Sequence, residues 1–173
     1  VVRPCRYASS RDRSRIGRGA DDDHFVPIGS LLGADRNVAH LHEVGLIGGG
    51  PGAFIGGVHR IAAGIDGEIE LVCGAFSSDP EKSKQAGETL NLSPQRIYGS
   101  YKEMIRVESS LPPNERMDIV SIVTPNHVHF EPTKLALENG FHVILDKPLA
   151  FDLKEAKILQ EIAKKSQLLF CLT

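Results

Sequence analysis

The sequence predicts an α/β protein built on a doubly wound parallel sheet, and three observations carry that expectation. Short apolar runs recur along the chain, amphipathic helical segments lie between them, and the first run feeds straight into a glycine cluster at residues 48–52. Strands that alternate with helices at this spacing form βαβ units, which cross over right-handed and cover both faces of one sheet.

Residues 1–42 lie outside this pattern. They hold an Arg/Ser-rich stretch and the acidic triplet Asp21-Asp22-Asp23 without a sustained period of either kind. We expect a largely disordered extension, or one foreign to the domain, since the chain opens on Val rather than Met. Arginines followed at once by three aspartates suit neither a nucleic-acid arm nor a targeting segment.

The organised domain is expected over 43–173. Val44-Gly45-Leu46-Ile47 is an apolar run ending in glycines, the pattern of a buried parallel strand entering a tight turn. Gly52 to Gly64 reads as the first helix and Ile69 to Phe76 as the second strand. Ser78-Asp79-Pro80-Glu81 opens the next helix, with a cap candidate, a proline in the first turn and an acid near its positive end; it runs to about Leu90.

A short third strand at Ile97-Tyr98 and a helix from Tyr101 to Glu108 precede the loop Leu111-Pro112-Pro113-Asn114. Asp118 to Val123 is the fourth strand, His129 to Asn139 a helix stopped by Gly140, and Phe141 to Leu145 the fifth strand. Asp152 to Lys165 is the last helix and Leu168 to Leu172 the sixth strand. The expected order is 3-2-1-4-5-6, the Rossmann arrangement.

Composition narrows the function classes. A length of 173 residues suits one domain, and a formal charge of −2 with 24% charged residues gives no reason to expect nucleic acid or an anionic membrane. No apolar run approaches the roughly 18–20 residues of a membrane span, and the N-terminus lacks a signal-peptide core, so we expect a cytoplasmic protein. Cys5, Cys73 and Cys171 form no CxxC, and His24, His40, His42, His127 and His142 have no metal-ligand spacing, so neither a metal nor a disulfide framework is expected.

The glycine cluster carries the chemistry. Gly48-Gly49-Gly50-Pro51-Gly52-Ala53 fits G-x-G-x-x-G/A directly after a strand and at the mouth of a helix. Glycine serves there because a Cβ would hold the backbone away from a pyrophosphate, whose charge is stabilised by free N–H groups and the positive helix end. Gly48 should turn the chain and Gly50 should admit the phosphates, while Gly52, Ala53 and Gly56 compete for the last contact.

An acid at the end of the second strand would mark a preference for NAD, but that place holds Ser77 and Ser78. Glu68 and Glu70 precede the strand instead of following it. Two hydroxyls do not repel a 2′-phosphate, and Lys82 and Lys84 supply positive charge nearby, so we expect NAD or NADP with a lean toward NADP.

Three stretches coincide in order and spacing: GGGPGAFIGGVH at 48–59, VTPNHVH at 123–129 and LDKPL at 145–149. Together they resemble the N-terminal domain of the Gfo/Idh/MocA oxidoreductases over residues 43 to 173. The resemblance implies that Thr124, Pro125, Asn126 and His129 lie along the cofactor near the ribose and nicotinamide. It also implies that Asp146, Lys147 and Pro148 stand for the family's E-K-P motif, with Lys147 as the catalytic lysine touching nicotinamide ribose and substrate. Read as residues alone, Pro125 ends a strand and Asn126 can cap the next helix.

Two positions depart from the family. Asp146 is one methylene shorter than the usual glutamate, and His59 lies three residues farther from the first glycines, so Phe54, Ile55 and Gly56 should lengthen the phosphate loop. The family's second domain, which carries a histidine–aspartate acid/base, most of the substrate pocket and the oligomer interface, is expected to be absent from this chain. The resemblance thus implies the dinucleotide domain of an enzyme moving hydride between nicotinamide and a sugar, cyclitol or related alcohol carbon, homo-oligomeric at full length and inactive as this chain alone. The competing reading is a stand-alone dinucleotide-binding or sensing module without catalysis. Apolar surface meant for a partner domain should lie exposed.

Overall fold

The computed structural model describes residues 3–4 and 42–173; apart from Arg3, Pro4 and His42, which opens the first long strand, the expectation of a disordered extension over 1–42 lies outside the described residues. In chain order the elements are β1 (Arg3–Pro4), β2 (His42–Gly48), α1 (Phe54–Ala63), β3 (Ile69–Ala75), α2 (Pro80–Thr89) and α3 (Tyr101–Glu108). Then come β4 (Ile119–Val123), α4 (Phe130–Glu138), β5 (His142–Leu145), α5 (Leu153–Ser166) and β6 (Phe170–Leu172). All pairings are parallel, and the sheet order is β1-β6-β5-β4-β2-β3.

From β3 to β6 this is the expected order, with two differences at the edges. The third expected strand shrinks to an isolated bridge between Ile97 and Gly74. Ile97 lies between a 3-10 turn at Pro94–Arg96 and the cap Ser100 of α3, which leaves no length for a ladder. At the other edge, Arg3 and Pro4 pair with Cys171 and Leu172, which two residues without periodicity could not announce.

The strands alternate their side chains between two layers. Ile47, Val120, Ile122, Val143 and Leu145 join Met104, Met117, Leu137, Phe141 and Leu159 in the larger core. Leu46, Phe76, Ala86 and Val123 form the smaller one on the other face. Every residue of β4 is buried, as expected of a central strand covered on both sides.

Helix starts follow their sequence signals. Asp79 accepts from the N–H groups of Glu81 and Lys82, with Pro80 opening α2; Ser100 and Asp152 cap α3 and α5. Gly140, at φ +81°, takes the chain out of α4.

A buried charge cluster closes the amino-terminal end of the sheet. Arg96 donates to both oxygens of Glu108, from Nε at 3.0 Å and Nη2 at 2.7 Å, and from Nη1 to Glu43 at 3.1 Å. The Tyr98 hydroxyl and the Met117 N–H also donate to Glu108, at 2.8 and 3.0 Å. Burial pushes the Glu108 carboxyl up, but Arg96, Met117 and Tyr98 outweigh it and hold it below the usual carboxylate range.

Phe54 and Ile61 on α1, Ile65 just beyond it, and Phe151 and Leu153 at the start of α5 are each at least 60% exposed. Among the described residues, no helix is long and apolar enough to cross a membrane.

Candidate functional site

In a parallel sheet every strand ends at the same edge, so the loops after β2, β3, β4 and β5 gather there. Gly48 turns the chain at φ +87°, where a side chain would press on Val123 O at 3.0 Å and Thr124 N at 3.1 Å. The next glycine, Gly49, lies against Gly56 of α1, backbone to backbone. Gly56 is therefore the residue that lets helix and turn approach, and the helix already begins at Phe54, so Phe54, Ile55 and Gly56 extend α1 instead of the loop.

Gly50 has a packing role within the fold. Its N–H donates to Phe76 O at 3.1 Å, and an added Cβ would stand 2.7 Å from that same oxygen. The absent side chain thus admits the end of β3. Gly52, at φ +81°, has nothing within 4 Å of its Cβ position. Behind it, Ala53 is the N-cap of α1 and offers no side-chain hydrogen bond, leaving the first-turn N–H groups without a capping side chain. Gly52 and Ala53 hence front an open, positively polarised helix end. Arg60 donates to Gly49 O at 3.3 Å, bringing a guanidinium to the back of this turn.

After β3, the Ser77 hydroxyl accepts from Asp79 N at 3.1 Å, and Ser78 is exposed. Asp79 Oδ1 is committed to its helix cap, and Oδ2 lies 3.8 Å from Lys82 Nζ. Lys84 is exposed on α2.

The loops after β4 and β5 are joined by His129. Its ring is fully buried, with Nδ1 at 2.7 Å from Pro148 O and Nε2 at 2.8 Å from Thr124 O. Both ring nitrogens face backbone carbonyls inside the protein, one of them donating a hydrogen bond, so the His129 ring itself couples the two loops. Asn126 also departs from expectation, because it lies in a 3-10 turn (Asn126–Val128) and His129 itself is the N-cap of α4. Pro125 and Asn126 are exposed beside Thr124. Thr124 Oγ1 is the one buried side-chain nitrogen or oxygen among the described residues that has no hydrogen-bond partner.

Beyond β5, Asp146 continues alongside β4 through its N–H to Ile122 O at 3.0 Å, and Lys147 and Pro148 are exposed. Asp146 Oδ1 lies 3.8 Å from His59 Nε2 and 3.4 Å from Thr173 Oγ1. His59 Nδ1 is 2.9 Å from Ser121 Oγ. Burial holds the His59 imidazole below its ordinary range, against the opposing pull of Asp146.

Sequence reasoning passed over Arg60 and Ser121 and used His59 only as a marker of spacing. A lone hydroxyl in the apolar run Ile119-Val120-Ser121-Ile122-Val123 was the available signal, since a buried hydroxyl calls for a partner. Among the described residues, no three His, Cys, Asp or Glu side chains gather as a metal-binding set.

The donor set fits a dinucleotide: free helix-end amides for phosphates, an orphan hydroxyl and a carboxylate oxygen for ribose, and a lysine at the strand ends. A family model described as an oxidoreductase family with an NAD-binding Rossmann fold, GFO_IDH_MocA, matches residues 42–173. The oxidoreductase YfiI of Bacillus subtilis (strain 168) is 35% identical over 136 residues, which are 78% of this chain and 34% of that protein. A D-xylose 1-dehydrogenase (NADP(+)) of Hypocrea jecorina is 33% identical over 100 residues, 57% of this chain and 24% of that one.

Among solved structures, an inositol dehydrogenase homolog complexed with NADH and myo-inositol from Azotobacter vinelandii is 39% identical with a TM-score of 0.74, covering 79% of this chain and 35% of that chain. The chain spans about a third of the length of YfiI and of the inositol dehydrogenase homolog.

Proposed function

The chain belongs to the Gfo/Idh/MocA oxidoreductase family as its NAD-binding Rossmann domain, and from that premise we propose an NAD(P)-dependent enzyme that moves hydride at an alcohol carbon of a sugar or cyclitol. The observation that carries the site is the uncapped start of α1 behind the open Gly52, at the carboxyl end of the sheet.

Gly48 turns the chain, Gly52 and Ala53 leave room for the pyrophosphate at the helix end, and Thr124 Oγ1 donates to a ribose or nicotinamide oxygen. Ser77 and Ser78 face the adenosine ribose. Pro125, Asn126, Asp146 and Pro148 line the nicotinamide side. The bound nicotinamide supplies the hydride acceptor or donor. Lys147, exposed and without a hydrogen-bond or ion-pair partner among the described residues, places its ammonium where charge develops on the substrate oxygen and is the catalytic lysine.

The cofactor preference leans to NADP. Asp79 is the first acid after β3 in sequence, but its Oδ1 is engaged by the helix cap and Oδ2 faces Lys82, so it is not free to grip ribose hydroxyls and the lysine offsets part of its charge. The D-xylose 1-dehydrogenase relative carries NADP(+) in its name, whereas the inositol dehydrogenase homolog is complexed with NADH. We place the full enzyme in the cytoplasm as a homo-oligomer, and expect no turnover from this polypeptide alone, since it spans about a third of the length of its relatives.

The test is a fluorescence titration with NADH and NADPH of the chain and of Ala53→Asp. An aspartate at that position caps α1 with its own carboxylate and sets negative charge where phosphates bind. The variant should melt no lower than the parent and lose at least about tenfold in affinity. Unchanged binding would remove the helix end from the site.

A further inference from the structure

Helix α1 is tied to the sheet twice, by the Gly49–Gly56 contact and, one turn later, by His59. The hydrogen-bonding choices around His59 are constrained. Ser121 Oγ lies 2.9 Å from Nδ1, and Nε2 faces Asp146 Oδ1 at 3.8 Å and Thr173 Oγ1 at 3.5 Å; the tautomer that satisfies all three has Ser121 donating to Nδ1 and the proton on Nε2. The groups that meet the ring are Ser121 from β4, Asp146 after β5 and Thr173 after β6, while the neighbouring Arg60 is engaged with Gly49 O. Asp146 Oδ1 lies 3.8 Å from Nε2 and 3.4 Å from Thr173 Oγ1, which is also 3.4 Å from Leu145 O, and Oδ2 has no partner among the described residues.

We infer that His59 is a positioning residue for the nicotinamide half of the site: with Thr173 it fixes one oxygen of Asp146 and leaves the other to accept from a ribose hydroxyl. The inference rests on the dinucleotide reading above and names which half of the ligand His59 serves. Burial keeps the ring neutral near pH 7, so it has one N–H to direct, and Ser121 decides that this N–H is on Nε2. Asp146 is one methylene shorter than a glutamate and has less freedom to find a ligand by itself, so its orientation must come from its neighbours.

ADP carries the adenosine and both phosphates but lacks the nicotinamide ribose, so it separates the two halves. Calorimetric titration of the chain with NADH and with ADP, in the parent, His59→Asn and His59→Gln, reads the inference directly. His59→Asn places no donor near Asp146 and should bind NADH about tenfold more weakly with ADP affinity unchanged. His59→Gln, whose terminal amide reaches the place of Nε2, should recover most of the loss. Asp146→Asn should show the same NADH-selective loss, with no further loss in the double variant, and it serves alone if His59→Asn does not fold.

Equal weakening of NADH and ADP would make His59 a packing residue of α1 and overturn the inference, as would NADH affinity unchanged in His59→Asn and Asp146→Asn. A folded parent that binds neither ligand overturns the dinucleotide reading and this inference with it, a result distinct from the other two.

Discussion

Replacing Thr124 by valine should move stability and binding in opposite directions. The Thr124 hydroxyl is buried without a partner, and an unsatisfied buried hydroxyl costs roughly 1–3 kcal/mol. Valine has nearly the same shape, and the hydrogen bond from His129 to the Thr124 carbonyl survives, so the gain is the relief of that cost. At the lower end, about 1 kcal/mol, the urea midpoint rises and the melting temperature climbs by about 3 °C. The same hydroxyl is the donor we assign to the dinucleotide, and one neutral hydrogen bond of about 1 kcal/mol corresponds to about a fivefold loss of affinity. Urea unfolding followed by circular dichroism without ligand, and NADPH fluorescence titration, measure the two effects separately. A variant less stable than the parent that binds NADPH equally well would refute both steps, since the hydroxyl would then be satisfied within the protein and irrelevant to the ligand.

Glu108→Gln turns an amide N–H₂ against donors that now meet a carboxylate, leaving Arg96 with Glu43 alone; we expect a loss of about 3 kcal/mol in urea unfolding, and a loss under 1 kcal/mol would refute the cluster's role. Acid should weaken the parent in two steps. His59 and His142, both shifted down mainly by burial, give stability that is full above about pH 6.5 and declines below it, and Glu108 gives stability that is lost below about pH 4.3; stability rising between pH 6.5 and 5 would contradict the sign. Gly57→Ala, whose Cβ meets only Arg60 Nη2 at 3.9 Å, should stabilise α1 by up to about 1 kcal/mol, whereas Gly50→Ala, pressed on Phe76 O, should lower the melting temperature; equal melts would remove the packing distinction between the two glycines. The exposed Phe54, Ile61, Phe151 and Leu153 should drive concentration-dependent association in light scattering, and a monodisperse monomer at high concentration would count against it.

Local signals made most of the fold legible. Pro80 after Asp79, Gly140 after α4 and the apolar run of β4 each act within a few residues, and each appears where the sequence placed it. The third strand failed because Ile97 and Tyr98 are apolar enough for a strand but are hemmed in by Pro94 and Ser100. Within the site, motif residues were found and their roles were not always. Motif spacing names Gly50 and His129 as positions, while Phe76 O, Thr124 O and Pro148 O, which these residues touch within the fold, are backbone atoms invisible to spacing. Asn126 lost its cap role to a 3-10 turn. His59 lies on α1, Ser121 on β4, and Asp146 and Thr173 just past β5 and β6, and only the assembled sheet brings them together.

The contact between Gly49 and Gly56 determines how the cradle meets its ligand. Two backbones in van der Waals contact leave the turn no room to slide along α1, and the Gly50–Phe76 hydrogen bond ties its other side. The amides at the helix end are thus held in working orientation before anything arrives, so little chain entropy remains to be lost on capture. On the proposed reading, such a seat would select by exclusion, since a turn held on both sides offers a wider headgroup no second shape.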